Sequence, residues 1–393
     1  MVLVAHCCPM ETLKSILAPY LTDQFLTQDW TQQAVYIPDR TGQKFRALFS
    51  WKMLNHLLNF HRVDDPNLRF SMDGKALPEV DRAGWHDRFQ QGATLIINSV
   101  DELVPTVAEL VAAIRVEMGH PAQVNLYCSP AHQQGFETHY DSHDVFILQI
   151  EGEKNWFVFR DTVPYPLPQT QSAEQLPPDE PPYLQCTLNP GDVLYIPRGH
   201  WHYAIAGDYP SLHLTLGIHG QTGVDWLAWL IGELQTQPEW RQNLPLLQQG
   251  SSDSMQQQLE ILRQQLNEYL QKPDVSQRYC DHLISQIQPI SPFSFPAQLG
   301  IDIFNNGLET RFVPPKFQRV QIDLFGETHH QITIGSKQIT LKGLPDELVA
   351  KLFHPAGFSI LDLADWAPDL DLDGDVVPLL TRLVTEGVLL VED

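Results

Sequence analysis

The chain has 393 residues, 43% of them hydrophobic, which predicts two or three domains with ordinary cores. Its formal net charge is −23 and its pI is about 4.9. This charge argues against broad binding to a phosphate backbone, which requires a basic surface, and is compatible with a basic protein or peptide partner.

The N-terminus and the cysteines indicate a cytoplasmic protein. Residues 1–15 are apolar only briefly and lack a basic leader and a small-residue cleavage site. No stretch of the sequence approaches the roughly 18 continuous apolar residues of a membrane span. The cysteines are odd in number and lack zinc-type spacing, so they predict free thiols in a reducing compartment. They are Cys7, Cys8, Cys128, Cys186 and Cys280.

The N-terminal quarter of the chain predicts a mixed α and β segment. Residues 10–26 have helical spacing, and residues 34–39 and 44–50 are compatible with strands or with helix starts. Residues 94–100 (TLIINSV) are a dense β-branched run that predicts a buried strand. Residues 104–120 predict an amphipathic helix whose apolar side is formed by Val104, Val107, Leu110, Val111 and Ile114.

From residue 122 the pattern changes to short strands separated by turn signals. Strands are predicted at residues 123–130 and 154–160, and a strand pair or one long strand at 138–150. After a loop rich in proline and glutamine, residues 183–206 and 211–220 resume the sheet. This series predicts a double-stranded β-helix, the jelly-roll or cupin barrel.

Two residues in the middle of this sheet region predict a metal site. His139 and Asp141 are separated by a single residue, so in a strand their imidazole and carboxylate would point to the same face. Two histidines and one carboxylate, with positions left open, are the ligand set of non-haem Fe(II) oxygenases. An H-x-D pair alone is a weak signal, but a later histidine on a β-rich stretch makes it a specific one.

The third ligand must come from a later strand of the barrel. The pattern P-x-G-x-x-H at Pro197 and Gly199 selects His202, because the tight turn places the strand that carries this histidine. His200, two residues earlier, is the second candidate. Two further candidates for the third ligand are His213 and His219. We interpret His132 and His143 as non-ligands.

A 2-oxoglutarate co-substrate would chelate the iron through its 2-oxo acid end and would need a buried cation for its far carboxylate. Lys154 lies in a mostly apolar strand, where an unpaired charge is expensive to bury, so a bound anion is a natural partner. Arg160 and Arg198 are alternatives, and the Lys154 amine could instead reach water. Asn125 and Tyr127 alternate onto one strand face, either to hydrogen-bond the co-substrate or as ordinary polar positions.

The chain changes character after the predicted barrel. Apolar positions recur with helical spacing in residues 226–234 and 255–272, so residues 226–289 predict a helical bundle region. Apolar faces on such helices form either a core or a partner interface. We predict a homodimer that uses this region.

Residues 292–393 predict a third unit, in which strands and a hairpin around Gly335 and Ser336 precede helices and a short last strand, as in a winged helix. Acidic residues in the would-be recognition region would repel phosphates, so a protein-interaction or structural role is predicted rather than DNA binding. Part of this group has the composition of a calcium loop without its final glutamate, and we interpret it as a helix cap and turn. The acidic residues are Asp362, Asp365, Asp369, Asp371, Asp373 and Asp375.

Several stretches resemble the ribosomal oxygenase branch of the JmjC family. They are GATLIINSVDE, VNLYCSPAHQQGFETHYDSHDVFILQIEGEKNWFVF, LNPGDVLYIPRGHWHYA and SLHLTLGI, all within roughly residues 25–220. Ser129 is a mild departure, since the family usually has threonine there. The resemblance continues more loosely to the C-terminus, because the family follows its barrel with a helical dimerisation region and a winged-helix domain.

The resemblance implies roles for six residues and a class of substrate. Family members hydroxylate arginine or histidine side chains of ribosomal proteins, so a protein or peptide substrate is implied. Lys154 matches the basic residue that holds the 2-oxoglutarate carboxylate. The other matches are the iron ligands His139, Asp141 and His202 and the polar active-site positions Asn125 and Tyr127.

We therefore predict an α+β chain with a JmjC/cupin catalytic domain (1–222), a helical dimerisation region (223–290) and a winged-helix-like domain (291–393). The predicted function is hydroxylation of a protein side chain with Fe(II), 2-oxoglutarate and O2, and a ribosomal protein is a candidate substrate. The alternatives are the same chemistry on a small molecule or a peptide natural product, and a non-catalytic metal-binding cupin. A DNA-binding regulator is least favoured, and neither nucleic acid nor membrane is an expected partner.

Overall fold

The computed structural model of the chain describes residues 3–4, 11–63, 66–170, 172–246, 252–287, 292–316, 318, 320–325, 329–334 and 337–392. The fold divides into two units. The larger unit is Met10–Leu283, and the smaller one combines Met1–Pro9 with Ile284–Asp393. The first strand of the chain, β1 (Leu3–Val4), belongs to the smaller unit.

The larger unit contains an eight-stranded and a three-stranded sheet, both antiparallel. Its strands are β2 (Val35–Ile37), β3 (Leu68–Met72), β4 (Lys75–Ala76), β5 (Thr94–Ile97), β6 (Ala122–Ser129), β7 (Asp144–Glu151), β8 (Lys154–Asp161), β9 (Leu184–Leu188), β10 (Val193–Ile196), β11 (His200–Ala206) and β12 (Ser211–Ile218). The strand orders are β2-β10-β7-β12-β6-β5-β3-β4 and β11-β8-β9.

The central strands of the large sheet are buried on both faces. On β7, Val145 and Ile147 cluster with Trp156 of β8, so this face packs against the small sheet. Phe146 and Leu148 point the opposite way and join a core with helical side chains. Burial on both faces explains why β7 reads as a continuous apolar run rather than an alternating one. Two antiparallel sheets packed in this way confirm the predicted double-stranded β-helix.

Helices cover the outer face of the large sheet and follow the barrel. Residues 10–26 were predicted as helical. From Glu11 on, they form two short helices and the start of a π-helical turn (Phe25–Asp29), because Pro19 lacks the N–H that a continuous helix needs. Residues 44–48 form turns, whereas residues 34–39 contain the strand β2. The helices are α1 (Glu11–Leu17), α2 (Thr22–Gln24), α3 (Trp51–Phe60), α4 (Trp85–Gln90), α5 (Pro105–Met118), α6 (Gly223–Gln235), α7 (Ser252–Leu270) and α8 (Val275–Ile287).

The region after the barrel is helical, as predicted. Thr222 and Asp225 form a capping box that starts α6. Leu230 and Leu234 of α6 cluster with Tyr269 of α7, so part of the apolar surface is a small core. In the described part of the chain, no helix combines the length and the apolar character that a bilayer crossing requires.

Among its described residues, the smaller unit has two short antiparallel sheets and the three α-helices α9 to α11 given below. The elements are β13 (Arg311–Val313), β14 (Val320–Leu324), β15 (His329–Ile334), β16 (Lys337–Lys342), β17 (Phe358–Ser359), β18 (Leu390–Glu392), α9 (Asp346–Leu352), α10 (Ile360–Trp366) and α11 (Val377–Thr385). Strands β15 and β16 pair with Ile334 opposite Lys337, while the predicted turn at Gly335 and Ser336 lies outside the described residues.

Two of the acidic residues of the smaller unit act as helix caps. The Asp371 carboxylate accepts a hydrogen bond of 2.6 Å from the Gly374 N–H, which confirms the cap-and-turn interpretation of this segment. Asp362 forms a capping box with Ser359 at the start of α10, and these hydrogen bonds lower the pKa of its carboxyl.

The buried hydroxyl of Tyr195 gives a test of the barrel core. It donates to Asp144 Oδ1 and accepts the Thr31 N–H, both at 2.8 Å. Tyr195→Phe would leave a carboxylate oxygen and an amide short of a partner, so we expect a loss of about 1–3 kcal/mol in the free energy of unfolding, measured by urea denaturation. Tyr209→Phe is the matched control, because this side chain is 71% exposed and its change should stay within about 0.5 kcal/mol. Equal losses in the two variants would contradict the prediction.

Candidate active site

A cavity of about 190 Å³ opens between the two sheets of the barrel. Its walls include Tyr127 of β6, Ile147 of β7 and Trp156 of β8. Lys154 and His213 add a buried amine and a buried imidazole. Polar groups that converge inside an otherwise apolar cavity are typical of a small-molecule site.

His139, Asp141 and His202 meet at this cavity. One ligand atom from each residue lies within 4.8 Å of the others, and this is the one such group of three that the described residues form. Asp141 Oδ2 lies 3.8 Å from His202 Nε2, and the two imidazole ring centroids are 4.4 Å apart. The predicted grouping of these three side chains therefore exists in the fold.

The backbone that carries His139 and Asp141 differs from the prediction. Strand β7 begins only at Asp144, so the prediction of a strand pair or one long strand over residues 138–150 was wrong for the part that carries His139 and Asp141. His139 instead forms an isolated antiparallel bridge with His202, through N–H···O bonds of 3.1 and 2.7 Å. The Asp141 carbonyl accepts the Gly199 N–H at 2.9 Å, so the segment turns away from the sheet to meet the start of β11.

Backbone carbonyls orient both imidazoles. His139 Nδ1 lies 2.8 Å from the Glu137 carbonyl oxygen, and His202 Nδ1 lies 3.0 Å from that of His200. Because a carbonyl oxygen only accepts, each Nδ1 carries the proton and each Nε2 keeps its lone pair. Such contacts fix the tautomer and the ring orientation of metal-binding histidines.

The charges of these groups also fit a divalent metal ion. Burial lowers the pKa of His202 to about 4, helped by the charge of His139, so its imidazole is neutral at pH 7. Burial alone would raise the pKa of Asp141, but the surrounding imidazoles, His143 first among them, lower it overall and the carboxylate is ionised. Two imidazoles and one carboxylate with open positions suit Fe(II).

His200, the second candidate for the third ligand, is bound elsewhere. Its Nδ1 lies 2.7 Å from the Tyr183 hydroxyl oxygen, and its Nε2 lies 4.0 Å from Asp161 Oδ1. The register of β11 against β8 shifts by one residue between His200 and His202, and this β-bulge places Asp161 opposite His200.

The other histidines also lie outside the ligand group. His213 lines the cavity, where its ring stacks on Tyr127 with centroids 5.0 Å apart. Its Nδ1 is buried without a hydrogen-bond partner, so a bound molecule could satisfy it. The ring of His219 stacks on that of His143, and His132 Nε2 lies 3.7 Å from Asp208 Oδ1.

Lys154 is the one of the three candidate cations that lines the cavity. Its side chain is buried, and its Nζ donates to Ser129 Oγ at 3.0 Å. Arg160 and Arg198 lie instead over the rings of Tyr183 and Tyr165.

The Lys154 amine has no acidic partner in the described part of the chain. Burial therefore lowers the pKa of Lys154 to about 8. A buried amine without a counter-ion fits an anionic ligand such as a carboxylate.

The two polar candidates on β6 have different surroundings. Tyr127 lines the cavity, and burial raises the pKa of its hydroxyl to about 12. The Asn125 side chain is not part of the cavity wall, and its carbonyl oxygen accepts the Ser99 N–H at 3.0 Å.

Arg69 and Thr94 are among the residues of the cavity wall that sequence reasoning did not single out. Arg69 on β3 pairs with Ile96 on β5, which pairs with Tyr127, so the three residues form one row across the sheet. Only the register of strands far apart in the sequence reveals Arg69. Thr94 donates to Ser129 Oγ at 3.1 Å, and its one signal was its position at the start of a predicted buried strand.

Comparisons with known sequences show which protein family the region around the cavity resembles. Residues 104–225 match the model of the JmjC domain, which confirms the resemblance seen in the sequence. Ribosomal oxygenase 1 of Rattus norvegicus is 31% identical over 251 residues, 58% of this chain and 41% of that protein. The bifunctional lysine-specific demethylase and histidyl-hydroxylase NO66 of Dictyostelium discoideum is 28% identical over 222 residues, 53% of this chain and 42% of that protein. The chain thus spans about two fifths of the length of these relatives.

Solved structures resemble this chain over nearly its whole length. The Escherichia coli protein ycfD superposes with a TM-score of 0.60 at 18% identity, over 94% of this chain and 98% of that one. A structure of YcfD described as a ribosomal oxygenase in complex with cobalt and 2-oxoglutarate has a TM-score of 0.56 at 18% identity, with the same coverage. At this identity the similarity shows the fold alone, a JmjC/cupin-like fold of mixed α and β content.

The buried amine of Lys154 predicts a specific dependence of stability on pH. An unfolded lysine titrates near 10.5 and the folded one near 8, so between these values the unfolded chain binds more protons and stability rises with pH. Lys154→Met lacks this group, so it should be more stable than the parent at pH 7. The advantage should shrink by about 3 kcal/mol between pH 7 and 10.5 in urea denaturation. A difference in free energy that stays constant over this range would contradict the burial of a charged amine.

Proposed function

We propose that this protein is an Fe(II)- and 2-oxoglutarate-dependent oxygenase that hydroxylates a side chain of another protein. One observation carries the proposal. The cavity contains an open group of two imidazoles and one carboxylate, His139, Asp141 and His202, together with the buried amine of Lys154, which has no acidic partner among the described residues. The first feature suits a ferrous ion, and the second suits the far carboxylate of 2-oxoglutarate.

The proposed roles of the residues follow from this arrangement. His139, Asp141 and His202 hold the Fe(II) ion, which together with 2-oxoglutarate and O2 supplies the oxidising chemistry that hydroxylation requires. Lys154, oriented by Ser129, binds the co-substrate carboxylate. Around them, apolar side chains limit the entry of water, and these include Phe136, Ile147 and Trp156.

Tyr127 and Asn125 take secondary roles in the proposal. Tyr127 lines the cavity and its hydroxyl stays protonated at pH 7, so we assign it a hydrogen bond to the co-substrate. Asn125 acts through its contact with the Ser99 N–H, as a support for the strand that carries Tyr127.

We propose a protein substrate because a chain of net charge −23 attracts basic partners. Ribosomal proteins are the first candidates, since relatives carry the name ribosomal oxygenase and one is named a histidyl-hydroxylase. The proposed target side chain is therefore a histidine or an arginine, and the proposed location is the cytoplasm. The rival substrates are a small molecule and a peptide natural product.

We further propose three domains: a catalytic domain (1–222), a helical dimerisation region (223–290) and a winged-helix-like domain (291–393). In the last domain, the helix α11 is followed by a turn at Gly387 and the strand β18, the order expected of a winged helix. Its acidic residues favour contact with protein rather than with nucleic acid, because they repel phosphates.

The proposed homodimer rests on an apolar face of α6. Val224, Leu227 and Ile231 follow one side of the helix and are 57%, 50% and 57% exposed. Leu259 and Ile261 of α7 are half-exposed as well. A second copy of the chain would cover this apolar surface.

The first experiment is a search for the hydroxylated protein with isotopically labelled oxygen. Purified protein with Fe(II), 2-oxoglutarate and ¹⁸O₂ is added to a lysate of its own source that lacks the gene. We expect peptide mass spectrometry to find one ¹⁸O atom on one protein, because one oxygen atom of O2 enters the product. His139→Ala, which lacks a proposed iron ligand, should lose this label and the accompanying formation of succinate.

The other outcomes separate the rival functions. Succinate without a labelled protein would point to a small molecule or a peptide natural product as the substrate. Absence of both label and succinate, with iron bound, would favour a metal-binding cupin without catalysis. An unchanged rate of 2-oxoglutarate turnover in His139→Ala would refute the proposed site.

Charge placed on the α6 face tests the dimer. For the parent protein, we expect light scattering to give twice the chain mass of 44.7 kDa. The double variant Leu227→Glu, Ile231→Glu should have the mass of a monomer, because two carboxylates on each copy would oppose burial of the face. The control is Leu176→Glu, at an 85% exposed position in the loop before β9, which should leave the mass unchanged. A parent protein of monomeric mass would end this proposal.

A further inference from the structure

The segment between β6 and β7 carries two of the three proposed metal ligands and is held from two sides. On one side it is bound to β11: Gln134 bridges Ile205, and His139 bridges His202. These bridges fix the backbone of the segment where it crosses the small sheet. They do not fix the rotation of the His139 ring, which depends on the Glu137 carbonyl.

On the other side, the segment meets the tip of the β3–β4 hairpin. Asp73 and Gly74 at this tip have φ of +49° and +80°. A Cβ atom added to Gly74 would lie 2.6 Å from the Glu137 backbone nitrogen and 2.9 Å from its Cβ, closer than side chains pack. The hairpin backbone and the Glu137 backbone therefore touch directly, and only glycine leaves room for this approach.

Two more close approaches join the same segment to neighbouring strands. At Gly92, before β5, an added Cβ would lie 3.1 Å from Cδ of the Gln133 side-chain amide. Gly135 lies against the Thr94 side chain, with 3.4 Å from an added Cβ to Oγ1. The segment thus lies against the hairpin tip at Gly74, and against Gly92 and Thr94 at the start of β5.

We propose that the tip of the β3–β4 hairpin positions the metal ligand His139, with Gly74 as the positioning residue and Glu137 as the link. The hairpin fixes the Glu137 backbone, and the Glu137 carbonyl fixes the His139 ring through Nδ1 at 2.8 Å. The inference rests on the proposed metal site. It extends that site beyond residues 104–225, the region that matches the JmjC domain.

The test compares substitutions at two glycines of similar backbone conformation. Gly119, at the end of α5, has φ of +69° and no atom within 4 Å of an added Cβ, so it reports the backbone strain alone. Gly74→Ala adds the overlap with Glu137, and Gly74→Asn keeps this overlap while it relieves the strain, because asparagine tolerates positive φ. Gly119→Ala and Gly119→Asn are the matched controls.

The readouts are the affinity for Co(II), titrated by its visible absorption, and the midpoint of thermal unfolding. We expect both Gly74 variants to bind Co(II) about 10- to 100-fold more weakly than the parent, the usual effect of losing an outer contact of a metal ligand. Their absorption spectra should also change, since a turned imidazole alters the coordination. Both Gly119 variants should keep the parent affinity and spectrum even where their unfolding midpoint falls.

Each other outcome overturns the inference in a recognisable way. Parent-like Co(II) affinity in folded Gly74 variants would show that the hairpin yields instead of Glu137, and the metal site would stand without it. Unfolding of both Gly74 variants would assign the hairpin a purely structural role. Absence of Co(II) binding by the parent, with His139→Ala as the reference, would refute the metal site itself and the inference with it.

Discussion

Two backbone hydrogen bonds between His139 and His202 are the constraint on which the candidate active site depends. They fix the relative positions of two candidate ligands that come from distant parts of the chain, without the help of a metal ion. Carbonyl groups then fix the two ring orientations, and the Gly199 N–H holds the backbone of Asp141. Little freedom is left to lose when an ion binds, so the arrangement favours affinity through preorganisation.

Unlike the hydrogen bonds between His139 and His202, the buried amine of Lys154 lowers the stability of the fold. Thr94 and Lys154 both donate to the Ser129 hydroxyl, so the amine is hydrogen-bonded but its charge is not neutralised. A methionine would fit the same strand without this electrostatic cost. Such a group is retained where a ligand supplies the missing charge, and destabilised residues of this kind concentrate at functional sites.

Much of the barrel and the candidate ligand group could be predicted from local patterns. The apolar runs of β7 and β12 reflect burial on both faces. His139, Asp141 and His202 together supply the imidazole and carboxylate donors that suit Fe(II), and this combination is visible in the sequence. The contacts between distant segments could not be predicted. Arg69 reaches the cavity through the pairing of β3 with β5, and the Asn125 amide is engaged by Ser99, because both depend on tertiary register rather than on local periodicity.

The β-bulge between β8 and β11 has a consequence for the tolerance of this site to insertions and deletions. With regular pairing, Arg160 rather than Asp161 would stand opposite His200, and the imidazole would face a cation. Because the bulge holds one extra residue of β8, loss of Phe159 or Arg160 would restore regular pairing with Asp161 still opposite His200 and Val158 still opposite His202. A deletion at the bulge should therefore disturb the candidate site less than a deletion before Val158, which would shift the partner of His202 itself.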